Sequence, residues 1–218
     1  MLKAVIFDKD GVLVDTETLI IASIDATLHK FGSNRPYNVA DRVKHGGMPA
    51  QTTFPLLAKE YSLIGEIEEM IRHYQDFYTQ LIEEKGVAVF EGVKELLADL
   101  QINGIKLGIG TGSPKFRAEM TMADLRPFFE AVITSDQVEN PKPAPDTFLL
   151  AAEKLGVIPS ECVVIGDAKN DANGARDAGM KFIFRSSLAP KDVLEFEPDL
   201  TVSKMTELNF EKIKNLFV

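Results

Sequence analysis

The chain has no tryptophan, three histidines and one cysteine among its 218 residues. A lone cysteine cannot close an intramolecular disulfide, and Cys162 lies in the apolar run CVVI, where a small core residue is expected rather than a nucleophile. His29 and His73 fall within helical patterns and share no metal-ligand spacing with one another, so both are expected to be structural. Positive charge is also scarce, with 24 Lys and Arg against 33 Asp and Glu, a formal net charge of −9. That balance speaks against nucleic acid or an anionic lipid surface as a partner, because binding a polyanion needs a basic face. No stretch approaches the ~20 apolar residues of a membrane span, and no secretion signal is legible, so a cytoplasmic protein is expected. What is present, 45% hydrophobic and 26% charged residues, suits a folded domain with a smaller companion.

Three short apolar runs without polar alternation read as buried parallel strands: residues 2–7 (LKAVIF), 105–109 (IKLGI) and 162–165 (CVVI). Weaker candidates are 131–134 and 181–184, with 200–202 as a late edge strand. Helical patterns lie between them: 91–103 with Val93, Leu96, Leu97 and Leu100 on one face, and 146–155 with Phe148, Leu149 and Ala152. Gly104 and Gly156 supply their stops. Strand and helix in alternation predict an α/β fold, a doubly wound, mainly parallel Rossmann-like sheet, whose ligands bind beyond the carboxyl ends of the strands.

Residues 16–85 break the alternation. Ile20, Ile24, Leu28 and Phe31 repeat at helical spacing before Gly32, and Ile67, Met70, Ile71, Tyr74 and Phe77 do so before Gly86. The expectation is an α/β core of residues 1–15 and 86–218, interrupted by an inserted α-helical cap domain of residues 16–85. Linkers near 14–16 and 86–90 are placed to hinge it over the sheet edge.

Four polar loops carry the chemistry: FDKDGVLVD (7–15), IGTGSPK (109–115), NPKPAPD (140–146) and VIGDAKND (164–171). Singly, each has a plain explanation as a solvated turn, a loop or a helix cap. Three of them follow expected central strands, however, and the paired Asp8 and Asp10 suit a division of labour in which one carboxylate stays ionised while its neighbour exchanges a proton.

The four motifs in this order resemble the haloacid dehalogenase-like (HAD) hydrolase superfamily. The likeness is to the branch with a helical cap inserted straight after the first motif, which includes β-phosphoglucomutase-like and phosphoglycolate phosphatase-like enzymes; it covers the whole chain. The resemblance implies a Mg²⁺-dependent phosphatase acting on a small phosphorylated metabolite. Asp8 would be the nucleophile that forms an aspartyl-phosphate, and Asp10 the general acid and base. Thr111, with the backbone N–H groups of Gly112 and Ser113, would hold the phosphoryl group, and Lys142 would neutralise charge on both that group and Asp8. The Asp8 carboxylate, the Asp10 carbonyl and the Asp167 carboxylate would ligate Mg²⁺, with Asp171 behind them. A monomer or weak homodimer is expected.

Two positions depart from the family pattern. Lys9 stands where an apolar residue is usual; because neighbours on an extended backbone face opposite sides, its side chain is expected to point away from the two aspartates. Ala168 replaces a small hydroxyl residue. In the cap, the histidine and arginine that a phosphoglucomutase uses to hold its bisphosphate fall at Ile20 and Ala50, which favours a phosphatase over a mutase. The turn His45-Gly46-Gly47 is the place for a specificity loop, where Arg42, Lys44 and His45 either meet an anionic substrate or form a solvated basic turn. A C–halogen hydrolase and a noncatalytic phosphate-binding protein are weaker alternatives.

Overall fold

The structure, a computed structural model, describes residues 1–45, 50–186 and 194–218, except the side chain of Ala123. The elements in chain order are β1 (Ala4–Phe7), β2 (Val14–Asp15), α1 (Glu17–Lys30), α2 (Val39–His45), α3 (Ala50–Glu60), α4 (Ile67–Lys85), β3 (Ala88–Val89), α5 (Val93–Ile102), β4 (Lys106–Gly110), α6 (Lys115–Met122), β5 (Ala131–Ile133), α7 (Asp146–Leu155), β6 (Cys162–Gly166), α8 (Lys169–Asp177), β7 (Lys181–Arg185), β8 (Leu200–Val202) and α9 (Phe210–Lys214). The chain divides into two compact units, Met1–Asp15 with Ala88–Val218, and Thr16–Val87.

In the first unit six parallel strands lie in the order β5-β4-β1-β6-β7-β8. The chain lays β4 and β5 to one side of β1, then crosses to lay β6, β7 and β8 on the other, so the strand order reverses beside β1. That reversal opens a crevice at the carboxyl ends of β1 and β6. All four residues of β1 are buried, as a strand covered on both faces must be. Ala4 and Ile6 join Phe148, Val164 and Phe184 in a core against α7 and α8, while Phe7 meets the edge of Phe129. Gly110 allows this packing, because a Cβ there would come within 2.9 Å of the Phe148 ring. Cys162 is fully buried in β6, where burial pushes its thiol up to about 11.

The ends of the linker segments pair as a two-stranded antiparallel ribbon, Val14 with Val89 and Asp15 with Ala88, extended by the Phe90 N–H donating to Leu13 O. In the second unit, α1, α3 and α4 enclose Ile24, Leu28, Phe54, Leu57, Met70 and Tyr74. The polar residues on the inner side of α1 are satisfied locally: Ser23 and Thr27 donate to the carbonyls four residues back, and Thr27 Oγ1 lies 2.9 Å from His73 Nδ1.

Candidate active site

The four motif loops reach the sheet's carboxyl edge for different local reasons. After β1 the backbone turns sharply: the N–H groups of Val12, Leu13 and Val14 all point to the carbonyl of Lys9. Gly11 has φ of +79°, and a Cβ there would sit 2.2 Å from Asp167 Oδ2, so the first motif and the fourth can meet only at a glycine. The NPKPAPD loop closes on itself, with the backbone and side-chain N–H groups of Asn140 donating to Asp146 Oδ2, and so presents Lys142. Asp171 opens α8 and accepts from the Ala168 N–H at 3.1 Å; the methyl of Ala168 supplies no return bond.

Lys142 is the centre of the arrangement. Its Nζ lies 2.6 Å from Asp8 Oδ1, 2.6 Å from Asp171 Oδ1 and 3.1 Å from the carbonyl of Gly110, with all three side chains in the two ion pairs 8% exposed or less. Burial pulls the Lys142 ammonium down, but the attraction of Asp171 and Asp8 outweighs it and holds it above the usual lysine range. Burial pushes the Asp8 carboxyl up to about 7; Lys142 opposes this, and the charges of Asp171 and Asp10 reinforce it. Asp8 is therefore balanced near neutrality, and a further cation beside it favours the carboxylate.

Oxygen atoms of Asp8, Asp167 and Asp171 lie within 4.8 Å of one another. Asp8 and Asp171 share the Lys142 ammonium, Asp167 lies beside them, and the donors are all hard oxygens. This set fits Mg²⁺, which prefers a few carboxylates and keeps several waters. Both Asp171 oxygens are already engaged, one by Lys142 and one by the Ala168 N–H.

Thr111 is buried at the end of β4, where its hydroxyl oxygen accepts from the Ser113 N–H at 3.1 Å and its own proton remains for an acceptor. A Cβ on Gly112 would come 3.8 Å from the Lys142 stem, so this loop lies against Lys142. Ser113 turns its hydroxyl to Asp10 Oδ2, at 2.9 Å. In the second unit His45 is buried, stacked on Tyr37, with Nδ1 2.9 Å from Asp41 O and Nε2 3.3 Å from Glu60. Arg42 makes two bonds to Glu17, and Lys44 pairs with Glu60. Gly46 and Gly47 lie outside the described residues.

The expectation for Lys9 needs correction. Its ammonium is 2.5 Å from Asp10 Oδ1, directed at that carboxylate rather than away from it. The strand ends at Phe7, so the alternation of an extended backbone does not continue into the turn that holds Lys9 and Asp10. Arg185 escaped the sequence reading. At the end of β7 its Nη1 donates to the carbonyl of Gly11 and its guanidinium lies 3.9 Å from the Phe90 ring centroid. Burial lowers its affinity for a proton, and the Asp167 and Asp15 charges oppose that. The available signal was a cation ending an otherwise apolar strand.

Comparison with known proteins decides the family. The model of haloacid dehalogenase-like hydrolases matches residues 5–184. The chain belongs to the haloacid dehalogenase-like hydrolases. Within that family it is similar to the pyrophosphatase PpaX of Bacillus cereus, 33% identical over 95% of this chain and 94% of that one, and to PpaX of Bacillus mycoides, 34% identical over 95% of each. Among solved structures it resembles the β-phosphoglucomutase of Clostridium difficile, with 25% identity and a TM-score of 0.75 over 100% of this chain and 97% of that one. CbbY of Rhodobacter sphaeroides, at 22% identity and a TM-score of 0.79 over 98% and 100%, shares the fold. The protein is thus a haloacid dehalogenase-like enzyme of the phosphatase and phosphotransferase kind.

Proposed function

We propose that the protein is a Mg²⁺-dependent phosphatase that hydrolyses a small phosphorylated metabolite, of the sugar phosphate or phosphoglycolate type, through an aspartyl-phosphate on Asp8. The observation that carries this reading is the Lys142 ammonium shared at 2.6 Å by Asp8 and Asp171, with Asp167 beside them. A carboxylate buried in this way is desolvated for attack, and the ammonium beside it offsets charge on the incoming phosphoryl group.

In the first half-reaction an Asp8 oxygen attacks phosphorus, the bond to the leaving oxygen breaks, and that oxygen takes its electron pair and a proton from Asp10. In the second, water attacks the phosphorus, gives a proton to Asp10, and the Asp8 carboxylate leaves with its bonding pair. Thr111 donates its hydroxyl proton to the phosphoryl group. Asp8 and Asp167, with the Asp10 carbonyl, would hold Mg²⁺, and Asp171 anchors Lys142. When bound, the metal would add charge neutralisation at the phosphoryl oxygens. The Thr16–Val87 unit serves in this reading as a cap that selects substrate.

A second reading, hydrolysis of inorganic pyrophosphate, draws on the PpaX relatives, which match nearly the whole chain. A mutase is less favoured: Ile20 and Ala50 both pack against the apolar cluster of the helical unit and offer no polar group to a bisphosphate. The deciding experiment is a Mg²⁺-dependent panel of sugar phosphates, phosphoglycolate and pyrophosphate with an Asp8→Asn control. Activity on no member above that control sinks the proposal, and a clear preference for pyrophosphate selects the second reading.

A further inference from the structure

Lys9 is 1% exposed and ranks among the largest fully buried side chains. Removing an ammonium from water costs several kcal/mol unless close partners replace its hydration. Lys9 Nζ lies 2.5 Å from Asp10 Oδ1 and 2.5 Å from Thr121 Oγ1 in α6. The Thr121 hydroxyl donates its own proton to Arg117 O at 2.9 Å, so it faces Lys9 as an acceptor. The other Asp10 oxygen, Oδ2, accepts from Ser113 Oγ at 2.9 Å. Each oxygen of this carboxylate is therefore held by a different neighbour, and the side chain is still 22% exposed.

We propose that Lys9, braced by Thr121 and helped by Ser113, is a positioning residue that fixes the Asp10 carboxylate for its work as the base in phosphoenzyme hydrolysis. The inference rests on the reading of Asp10 as proton carrier given above. In that half-reaction a water oxygen bonds to phosphorus, the bond from phosphorus to the Asp8 oxygen breaks with its electron pair returning to Asp8, and the water proton passes to Asp10. A carboxylate aimed by two bonds, one to each oxygen, presents a lone pair in a fixed direction for that transfer. With a leaving group of low basicity, the preceding half-reaction needs no proton from Asp10 at all.

The test uses p-nitrophenyl phosphate with Mg²⁺ and follows p-nitrophenolate from the first turnover. In Lys9→Met, kcat is expected to fall about 100-fold, as a displacement of about 1 Å can cause. At the same time kcat/KM stays within about threefold, because it reports the half-reaction whose leaving group needs no proton. A burst near one p-nitrophenolate per site, with phosphoprotein accumulating, accompanies that split. Equal losses in kcat and kcat/KM, or no loss in either, overturn the inference. Thr121→Val and Ser113→Ala each remove one brace and are expected to show the same split at about three- to tenfold, which keeps the test valid should Lys9→Met fail to fold. Asp8→Asn separates the two levels of argument. Turnover surviving in Asp8→Asn refutes the phosphatase reading itself, whereas an inactive Asp8→Asn beside a Lys9→Met without the split refutes only the role of Lys9.

Discussion

In the α/β unit, Asp8 and Asp171 share the ammonium of Lys142, and oxygens of Asp8, Asp167 and Asp171 lie within 4.8 Å of one another at the end of the sheet. In the helical unit, Arg42 is matched to Glu17, and Lys44 and His45 to Glu60, around a core of Phe54, Leu57, Met70 and Tyr74. Separate pairs of this kind hold an arrangement together; carboxylates set this close to one another are poised to take up a cation or a proton. The contrast supports the proposal that chemistry takes place at the carboxyl ends of β1 and β6, and it shows Arg42, Lys44 and His45 each facing a carboxylate within the helical unit.

The most severe break of that contrast is Asp8→Asn, expected to cost about 10⁴-fold or more in kcat, as loss of a nucleophile does; steady-state assay of phosphate release checks it. Next is Lys142→Met, which strips two buried carboxylates of their counter-ion and should destabilise the metal-free protein by about 3–5 kcal/mol in urea unfolding. Met70→Ala probes the other unit: a cavity in its core is expected to cost about 3 kcal/mol of stability while kcat per folded molecule is unchanged. Gly11→Ala should force Asp167 aside and weaken Mg²⁺ binding about 10–100-fold by calorimetry, the size seen when groups that orient a metal ligand are lost.

Much of this arrangement was legible beforehand because it is written in continuous stretches. The three central strands of the main sheet announce themselves as apolar runs, the three outer ones only weakly, and the helix Asp146–Leu155 ends at Gly156 in the left-handed region, where the sequence placed its stop. The short ribbon of β2 and β3 is only two residues per strand, too brief for any period to show. The helix Ala50–Glu60 is masked by its internal Pro55 and polar start. At the site, the motif order picked out Asp8, Lys142, Asp167 and Asp171, which the fold brings together. The turn of Lys9 towards Asp10, the Ser113 hydroxyl on Asp10 and the place of Arg185 depend on where the backbone bends after β1 and β7, and no spacing rule contains that information.

The smallest effect is on pH. An acid whose folded pKa stands at about 7, above its unfolded 3.8, binds a proton in the native state that the unfolded state has lost, so the metal-free protein should lose stability from this group as pH rises between about 4 and 7 and then level off. Mg²⁺ must displace that proton. Its affinity is therefore expected to fall about tenfold per unit below pH 7 and to flatten above it, and the rise in Tm caused by Mg²⁺ should grow across the same window. Thermal unfolding with and without Mg²⁺ at pH 5.5, 6.5 and 7.5 reads both trends; a Mg²⁺ effect independent of pH would remove Asp8 from the metal site.

The most direct test of the account is to trap the intermediate. Borohydride added during turnover reduces an acyl phosphate on aspartate to homoserine, which peptide mass spectrometry can place. The account predicts homoserine at position 8, dependent on substrate and Mg²⁺, with Asp10, Asp167 and Asp171 unmodified. Sustained phosphate release with Asp8 never converted, or with conversion at another aspartate, would contradict it.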